Sequence, residues 1–332
     1  MDKNQIVKIA IGAIQNKIPD KYSGENTSDA LRNALIEANG GETKLNIKTF
    51  HRGNALFEII EELIPYIAHE GLTGDEFFMA MVEYRNLKLG DMNEFYTEDK
   101  SEFIVADAAN GTQGIRRQRL NAGEKTSVQT QLKVVKVYEE LNRLLAGRVD
   151  FNTFVDKVGE AMTKKLREDI YNTFKGITET TAGLNSTYVK TGTADENRIL
   201  ELIEHVEAST GKTAKIIGTK MALRKVPNAI VSDEAKSDMY NIGHYGKFNG
   251  TEMVQVKQQH QVGTDTFILD NDTIYIIASD DKPIKVVDEG EGLLGAKDPL
   301  QNADLTQEYL YGQMYGVALL FNEKIGIYKF SA

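Results

Sequence analysis

Three stretches of the sequence have the spacing of a ligand site, and in each the neighbouring residues work against that chemistry. Gly290-Glu-Gly-Leu-Leu-Gly295 spaces its glycines as in the turns that present backbone amides to a dinucleotide pyrophosphate, and it follows the strand-like Ile284–Val287. The helix that would receive the phosphates is interrupted by Pro299, and Asp288, Glu289 and Glu291 would repel them, so an acidic turn is expected instead. Gly211-Lys-Thr213 resembles the end of a phosphate-binding loop, but Val206 occupies the place of its first glycine and the order is helix then strand. A helix end capped by Gly211 is expected there. Asp270-Asn-Asp272 begins like a calcium loop, but Tyr275 stands where the loop needs glycine and Asp281 where it needs the longer glutamate, which leaves a hairpin turn.

Single-residue chemistry is equally sparse. The histidines, His51, His69, His205, His244 and His260, form no i,i+4 pair and no HExxH, so they read as surface residues rather than zinc ligands. There is no cysteine, which removes thiol nucleophiles, disulfides and cysteine-ligated metals, and there is no Gly-x-Ser-x-Gly elbow. No catalytic residue, metal site or cofactor is expected, and the chain is not expected to be an enzyme.

Whatever the chain does must then come from its shape and surface. Its 332 residues are 41% apolar and 27% charged, the balance of a folded protein with room for a sizeable core. With 49 acids against 39 bases, the net charge of −10 makes nucleic acid a poor default ligand for the whole surface. Met1–Ile18 lacks the pattern of a secretory signal, and no apolar run approaches the roughly 20 residues of a membrane span, so a soluble protein made in a cytosol is expected.

The periodicities predict an α+β fold. Residues 1–50, broken at Pro19-Asp20 and Asn39-Gly-Gly41, read as a loosely tethered arm. One helix is expected from Arg52 on the spacing of Leu56, Ile59, Ile60, Leu63 and Ile67, and a short one over Asp75–Val82. A strand is expected over Gln129–Tyr138. The longest helix is expected to follow Asp150, with Phe151, Val155, Val158, Met162, Leu166, Ile170 and Phe174 on one face until Gly176. Thr193–Glu196 reads as a capping box opening a helix through Val206, with a strand at Lys215–Ile217. Later strands are expected at Met253–Val256 and Ile284–Val287. Phe267–Leu269 and Ile274–Ala278 should pair as one hairpin, and Met314–Phe321 and Ile325–Phe330 as another.

Between Leu89 and Val128, about forty residues carry few helix signals and one strand-like triplet, Phe103-Ile-Val105. A loop this long is rare inside a compact domain unless it works outside it, so it should project. It also carries charge. Residues 111–125 hold Arg116, Arg117, Arg119 and Lys125 against Glu124, whereas residues 270–291 are acidic, with Asp280, Asp281, Asp288, Glu289 and Glu291 at their end. On a single chain these are two solvated loops; in an assembly, the same contrast would set the register between neighbours.

Several runs resemble the major capsid proteins of tailed bacteriophages: Tyr84–Tyr96, Gly114-Ile-Arg-Arg-Gln-Arg-Leu120, Val137–Leu141, Leu145–Phe151, Gly218–Arg224, Tyr245–Gly250 and Gln307–Val317, in that order. The resemblance covers most of residues 50–330 and implies the Hong Kong 97 shell fold. It implies an N-terminal arm (1–50), a first part of a peripheral domain (51–88), an extended loop reaching over a neighbour (89–128) and a peripheral domain with a long spine helix (129–179). An axial domain (180–275) and closing peripheral strands (276–332) complete it. The function implied is self-assembly, as pentamers and hexamers, into an icosahedral head that encloses double-stranded DNA without sequence-specific contacts. The protein would be made and assembled in the bacterial cytoplasm and would reside in the virion. Arg116, Arg117, Arg119 and Lys125 would meet acids of an adjacent copy. The stretch before residue 50 is short for a fused scaffold, so a separate scaffolding protein is expected, with a portal and decoration proteins as further partners and no membrane. No Lys/Asn pair matches the covalent cross-link of some members. An encapsulin-like nanocompartment is the structural rival, and a metabolic enzyme the rival from another class.

Overall fold

A computed structural model describes residues 75–97, 103–107, 110, 117–119, 123–139, 151–227, 240–297 and 307–331. The expected arm, the helix from Arg52, the Asp150 cap and Arg116 lie outside them. No helix among the described residues is long and apolar enough to cross a membrane.

Helix α1 (Glu76–Met81) starts at Asp75, whose carboxylate accepts from Phe77 N at 3.2 Å, and passes directly into strand β1 (Val82–Leu87). A two-stranded ribbon of β2 (Phe95–Thr97) and β3 (Glu124–Thr126) follows, and then β4 (Gln131–Glu139). Helix α2 (Phe151–Lys175) is the expected long helix. Beyond it come β5 (Val189–Gly192), α3 (Glu196–Thr210), β6 (Ala214–Thr219), α4 (Lys220–Arg224), β7 (Lys247–Phe248), β8 (Thr251–Val256) and β9 (Thr273–Ala278). The chain closes with β10 (Ile284–Lys297), β11 (Gln307–Leu319) and β12 (Gly326–Phe330).

Two sheets divide the strands. The first has the order β1-β10-β11-β4, with β1 parallel to β10 and the remaining pairs antiparallel. Tyr311 and Tyr315 alternate inward from β11 and share a core with Val158, Met162, Leu166, Ile170 and Phe174, the apolar stripe of α2. The second sheet has the order β5-β12-β9-β6-β8-β7. All six residues of its central strand β9 are buried. Alternation divides them between two cores: Tyr275 and Ile277 face the α1/α2 core, whereas Ile274 and Ile276 join Ile199, Leu202, Ile203 and Val206 of α3. The unbroken apolar run in β9 therefore reflects a sheet covered on both faces.

Four expectations are corrected. The cap of α3 is Asp195, which accepts from Asn197 N at 3.0 Å, and not Thr193, whose carbonyl instead accepts the Tyr328 hydroxyl at 2.5 Å. Asp195→Ala is expected to cost about 1 kcal/mol in urea unfolding, with an unchanged slope. Phe267–Leu269 does not pair with β9. Asp270 accepts from Asp272 N and Thr273 Oγ1, redirecting the chain, and β9 inserts between β12 and β6 while Phe267 bridges to His260. The strands β11 and β12 belong to different sheets, the turn between them carrying the chain from one sheet to the other. Phe103–Val105 is exposed and is not a strand.

The β1/β10 seam has an ionic lock. Glu83 stands opposite Lys285, whose ammonium lies 2.5 Å away and is buried, and Arg85 approaches the same carboxylate at 2.6 Å. Burial pushes the Glu83 carboxyl up, but hydrogen bonds and charge attraction from Lys285 and Arg85 outweigh it and hold it below its ordinary value. A carboxyl lowered by folding contributes stability above its unfolded pKa, and the contribution is lost as pH falls through the folded value. Glu83→Gln is expected to lose about 2 kcal/mol at neutral pH, because it removes the carboxylate paired with the buried Lys285 side chain. The deficit should shrink at an acidic pH low enough to protonate the wild-type carboxyl through its lowered folded value. Urea unfolding at the two pH values checks both.

Candidate inter-subunit surface

The stretch between Leu89 and Val128 is anchored where it leaves the body and where it returns. Phe95 and Val128, at its two ends, are buried against Val287, with Leu87, Ala318 and Leu320 around them. The Arg85 guanidinium lies 4.0 Å from the Phe95 ring centre and donates to the Glu94 carbonyl at 3.2 Å. Asn93 Nδ2 donates to the Val128 carbonyl at 2.5 Å, tying the incoming strand to the outgoing one. Above this root β2 and β3 pair in register, Phe95 opposite Thr126, Tyr96 opposite Lys125 and Thr97 opposite Glu124. The Tyr96 hydroxyl accepts from Gly123 N at 3.2 Å.

Elsewhere in the stretch, the Gln118 side chain brackets the backbone of Ile104. Its amide oxygen accepts from Ile104 N, and its amide nitrogen donates to the Ile104 carbonyl, both at 2.7 Å. One side chain thereby satisfies both backbone groups of a residue in an exposed, non-strand segment. Phe103, Ile104 and Val105 are 53%, 71% and 92% exposed beside it.

The charged residues expected to meet across subunits have separate fates. Arg117 and Arg119 are exposed, on the same segment as Gln118. Lys125 is paired with Glu94 of its own ribbon at 2.7 Å, and that hydrogen bond raises its pKa. Asp280 is exposed and lies 2.7 Å from Lys212. Asp281 is buried. Asp288 is 5% exposed and accepts from Tyr84 Oη at 2.8 Å and Gln313 Nε2 at 2.5 Å. Burial and the Asp288 charge together push the Tyr84 phenol far up. Glu289 accepts from Thr130 Oγ1 at 2.6 Å, and Glu291 lies in the same strand, within a bulge. Asp280, Asp281, Asp288 and Glu289 do not share one surface, because a strand alternates its side chains between faces and Asp280 and Asp281 precede that strand. The glycine-spaced stretch is likewise part of β10 and not a free turn.

What charge counting missed is apolar. Leu132, Val134, Leu293 and Leu310 are all more than 40% exposed. Leu293 and Val134 flank Gly312 in one cross-strand row, and Leu132 and Leu310 sit two positions along their own strands, on the same face. Alternation of Thr130, Leu132 and Val134 with polar neighbours carried a signal for the strand before Val135 and Val137 shift its phase, but which face met the core depended on α2.

A polar cleft of about 390 Å³ lies between β4, β11 and α2, lined by Lys133, Asp169, Asn172, Thr173 and Tyr315 among others. Its acid is engaged: Asp169 accepts from Tyr315 Oη at 2.9 Å and lies 2.9 Å from Lys165. Burial and the neighbouring Asp169 charge push the Tyr315 phenol far up, so it stays protonated near neutrality. No group of three or more His, Asp or Glu side chains able to hold a metal occurs among the described residues.

A family model described as "SPbeta prophage-derived putative capsid protein YonB" matches residues 5–329. No curated protein sequence matches. Among solved structures, the mature capsid of bacteriophage PhiM1 aligns with TM-score 0.51 at 10% identity, covering 77% of this chain and 87% of that one. The acid-stable capsid of Helicobacter pylori bacteriophage KHP30 aligns with TM-score 0.51 at 9% identity, covering 77% and 91%. The head of Helicobacter pylori bacteriophage KHP40 aligns with TM-score 0.50 at 10% identity, covering 76% and 91%. At such identities the likeness establishes the fold: a mixed α+β chain of the Hong Kong 97 type.

Proposed function

This chain belongs to the YonB family of prophage-derived capsid proteins, and on that footing we propose that the ribbon between Leu89 and Val128 is the element by which each copy overlaps the next. The protein is a structural component of the phage shell, not an enzyme, and its place is the virion. The same membership favours a phage head over a cellular nanocompartment. In this reading, residues 1–50 are an arm, 51–88 and 129–179 belong to a peripheral domain with α2 as its spine, and 89–128 are the extended loop. Residues 180–275 build an axial domain around the six-stranded sheet. Of the closing residues 276–332, β10 and β11 complete the peripheral sheet while β12 returns to the six-stranded one.

One observation carries the proposal: the stretch has a buried, hydrogen-bonded root, yet among its described residues it carries three consecutive apolar side chains, Phe103, Ile104 and Val105, that are each more than half exposed. A segment held in shape and left exposed suits a surface on a second copy. Each copy then gives one contact and receives another, so many modest interfaces add up to a closed shell of pentamers and hexamers. Arg116, Arg117 and Arg119 would flank the apolar contact, with Asp280 as the exposed acid on the receiving copy, and Arg117→Glu would weaken assembly. A separate scaffolding protein, a portal and decoration proteins complete the partners. The net charge of −10 suits a container whose DNA is held without sequence-specific contacts.

Electron microscopy of the chain expressed alone and with its flanking genes tests the reading. Closed shells, tubes or sheets support it. A monodisperse monomer under every condition overturns it.

A further inference from the structure

We propose that Glu289 is the positioning residue of the ribbon, a clasp whose carboxylate holds the two ends of the projection against a bulge in β10. The inference rests on the reading that the ribbon bridges copies, and it gives a role to the glycine-spaced stretch that shell function leaves unassigned.

Glu289 ends the parallel pairing of β1 with β10, standing opposite Leu87, the last residue before the chain departs. Its two carboxylate oxygens go to different ends of the projection. Oε2 accepts from Thr130 Oγ1 at 2.6 Å on the outgoing side, and Oε1 faces Gly90 N at 3.4 Å on the incoming side. The first contact is short and charge-assisted, and the second is long, so Thr130 supplies most of the hold. Directly after Glu289 the β10/β11 register shifts until Leu293. Both glycines of that bulge are required. Gly290 has φ +80° and lies under Leu89, and a Cβ on Gly292 would come within 2.5 Å of Tyr311 Oη. The bulge bends β10 at the point where the carboxylate must reach both ends of the ribbon.

A projection of this length acts as a lever, so a small change of angle at its root displaces Phe103–Val105 by much more. Holding both ends with one rigidly placed group narrows the directions the tip samples before a neighbour arrives, which lowers the ordering cost of association. Glu289 thus sets the geometry of assembly without touching the neighbouring copy.

The test uses the absence of native cysteine. Spin labels at Asp107→Cys on the ribbon and Lys175→Cys on α2 report the distance distribution between the projection and the body in the unassembled chain. Thermal unfolding and microscopy of shells accompany each variant. Glu289→Ala and Thr130→Val should each broaden the distribution and give shells of mixed size and shape, with an unchanged melting temperature. Glu289→Gln, which keeps an acceptor for Thr130, should broaden it less. An unchanged distribution in both Glu289→Ala and Thr130→Val overturns the clasp. A broadened distribution with uniform, normal shells leaves the clasp in place and overturns instead the reading that the ribbon bridges copies.

Discussion

Ile104→Asp combined with Val105→Asp is expected to abolish shell formation while leaving the subunit folded. These side chains are 71% and 92% exposed in the single chain, so a carboxylate there removes little from the subunit's own core. The bracket from Gln118 uses the backbone N–H and C=O of Ile104 and survives the change of side chain. Burial against a neighbour is a different matter. Each apolar side chain so covered contributes about 1.5–3 kcal/mol, and the variant forfeits that while requiring a charged group to leave water. The loss recurs at every contact in the shell, so association fails as a whole. Sedimentation velocity and electron microscopy read assembly, and circular dichroism with urea unfolding reads the subunit. Normal shells from the double variant would end the ribbon's assigned role.

Phe77→Ala is expected to lower subunit stability by about 3–5 kcal/mol, the range for truncating a buried aromatic. Phe77 is 1% exposed and stands edge-on to Tyr171 and Phe174 of α2, with ring centres 5.7 and 5.2 Å away. Helix α1 has only six residues and cannot persist on propensity, so its position depends on this anchor. It leads directly into β1, and losing its seat would also disturb the edge from which the ribbon departs. Against a typical total of about 5–15 kcal/mol, the variant becomes marginal. Urea unfolding should show a lower midpoint with the same slope. A change below about 1 kcal/mol would remove Phe77 from the centre of the core.

Helical periodicity was the most legible signal. The spacing from Phe151 to Phe174 predicted α2 nearly to its end, because an apolar stripe repeating every three or four residues has no other economical way to be buried. The described residues between Leu89 and Val128 form no helix, and this was legible for the opposite reason: the stretch carries few helix signals. Pairing partners were not legible. Met314–Phe321 and Ile325–Phe330 look like a hairpin because they are adjacent in sequence. Instead β11 turns Tyr311 and Tyr315 into the α1/α2 core, whereas β12 joins the sheet covered on both faces, with Ile327 on the α1/α2 side and Tyr328 and Phe330 on the α3 side.

The candidate site divides along the same line. Residue types and order alone marked out a mixed α+β chain and a long helix, since periodicity and composition are local properties of the chain. Folding in three dimensions buried Asp281 and Asp288, turned Glu289 toward Thr130 and left Phe103–Val105 in solvent. A side chain's exposure depends on what distant segments bring against it. A run of acids in sequence is therefore not an acidic surface until the strand carrying it has found its neighbours.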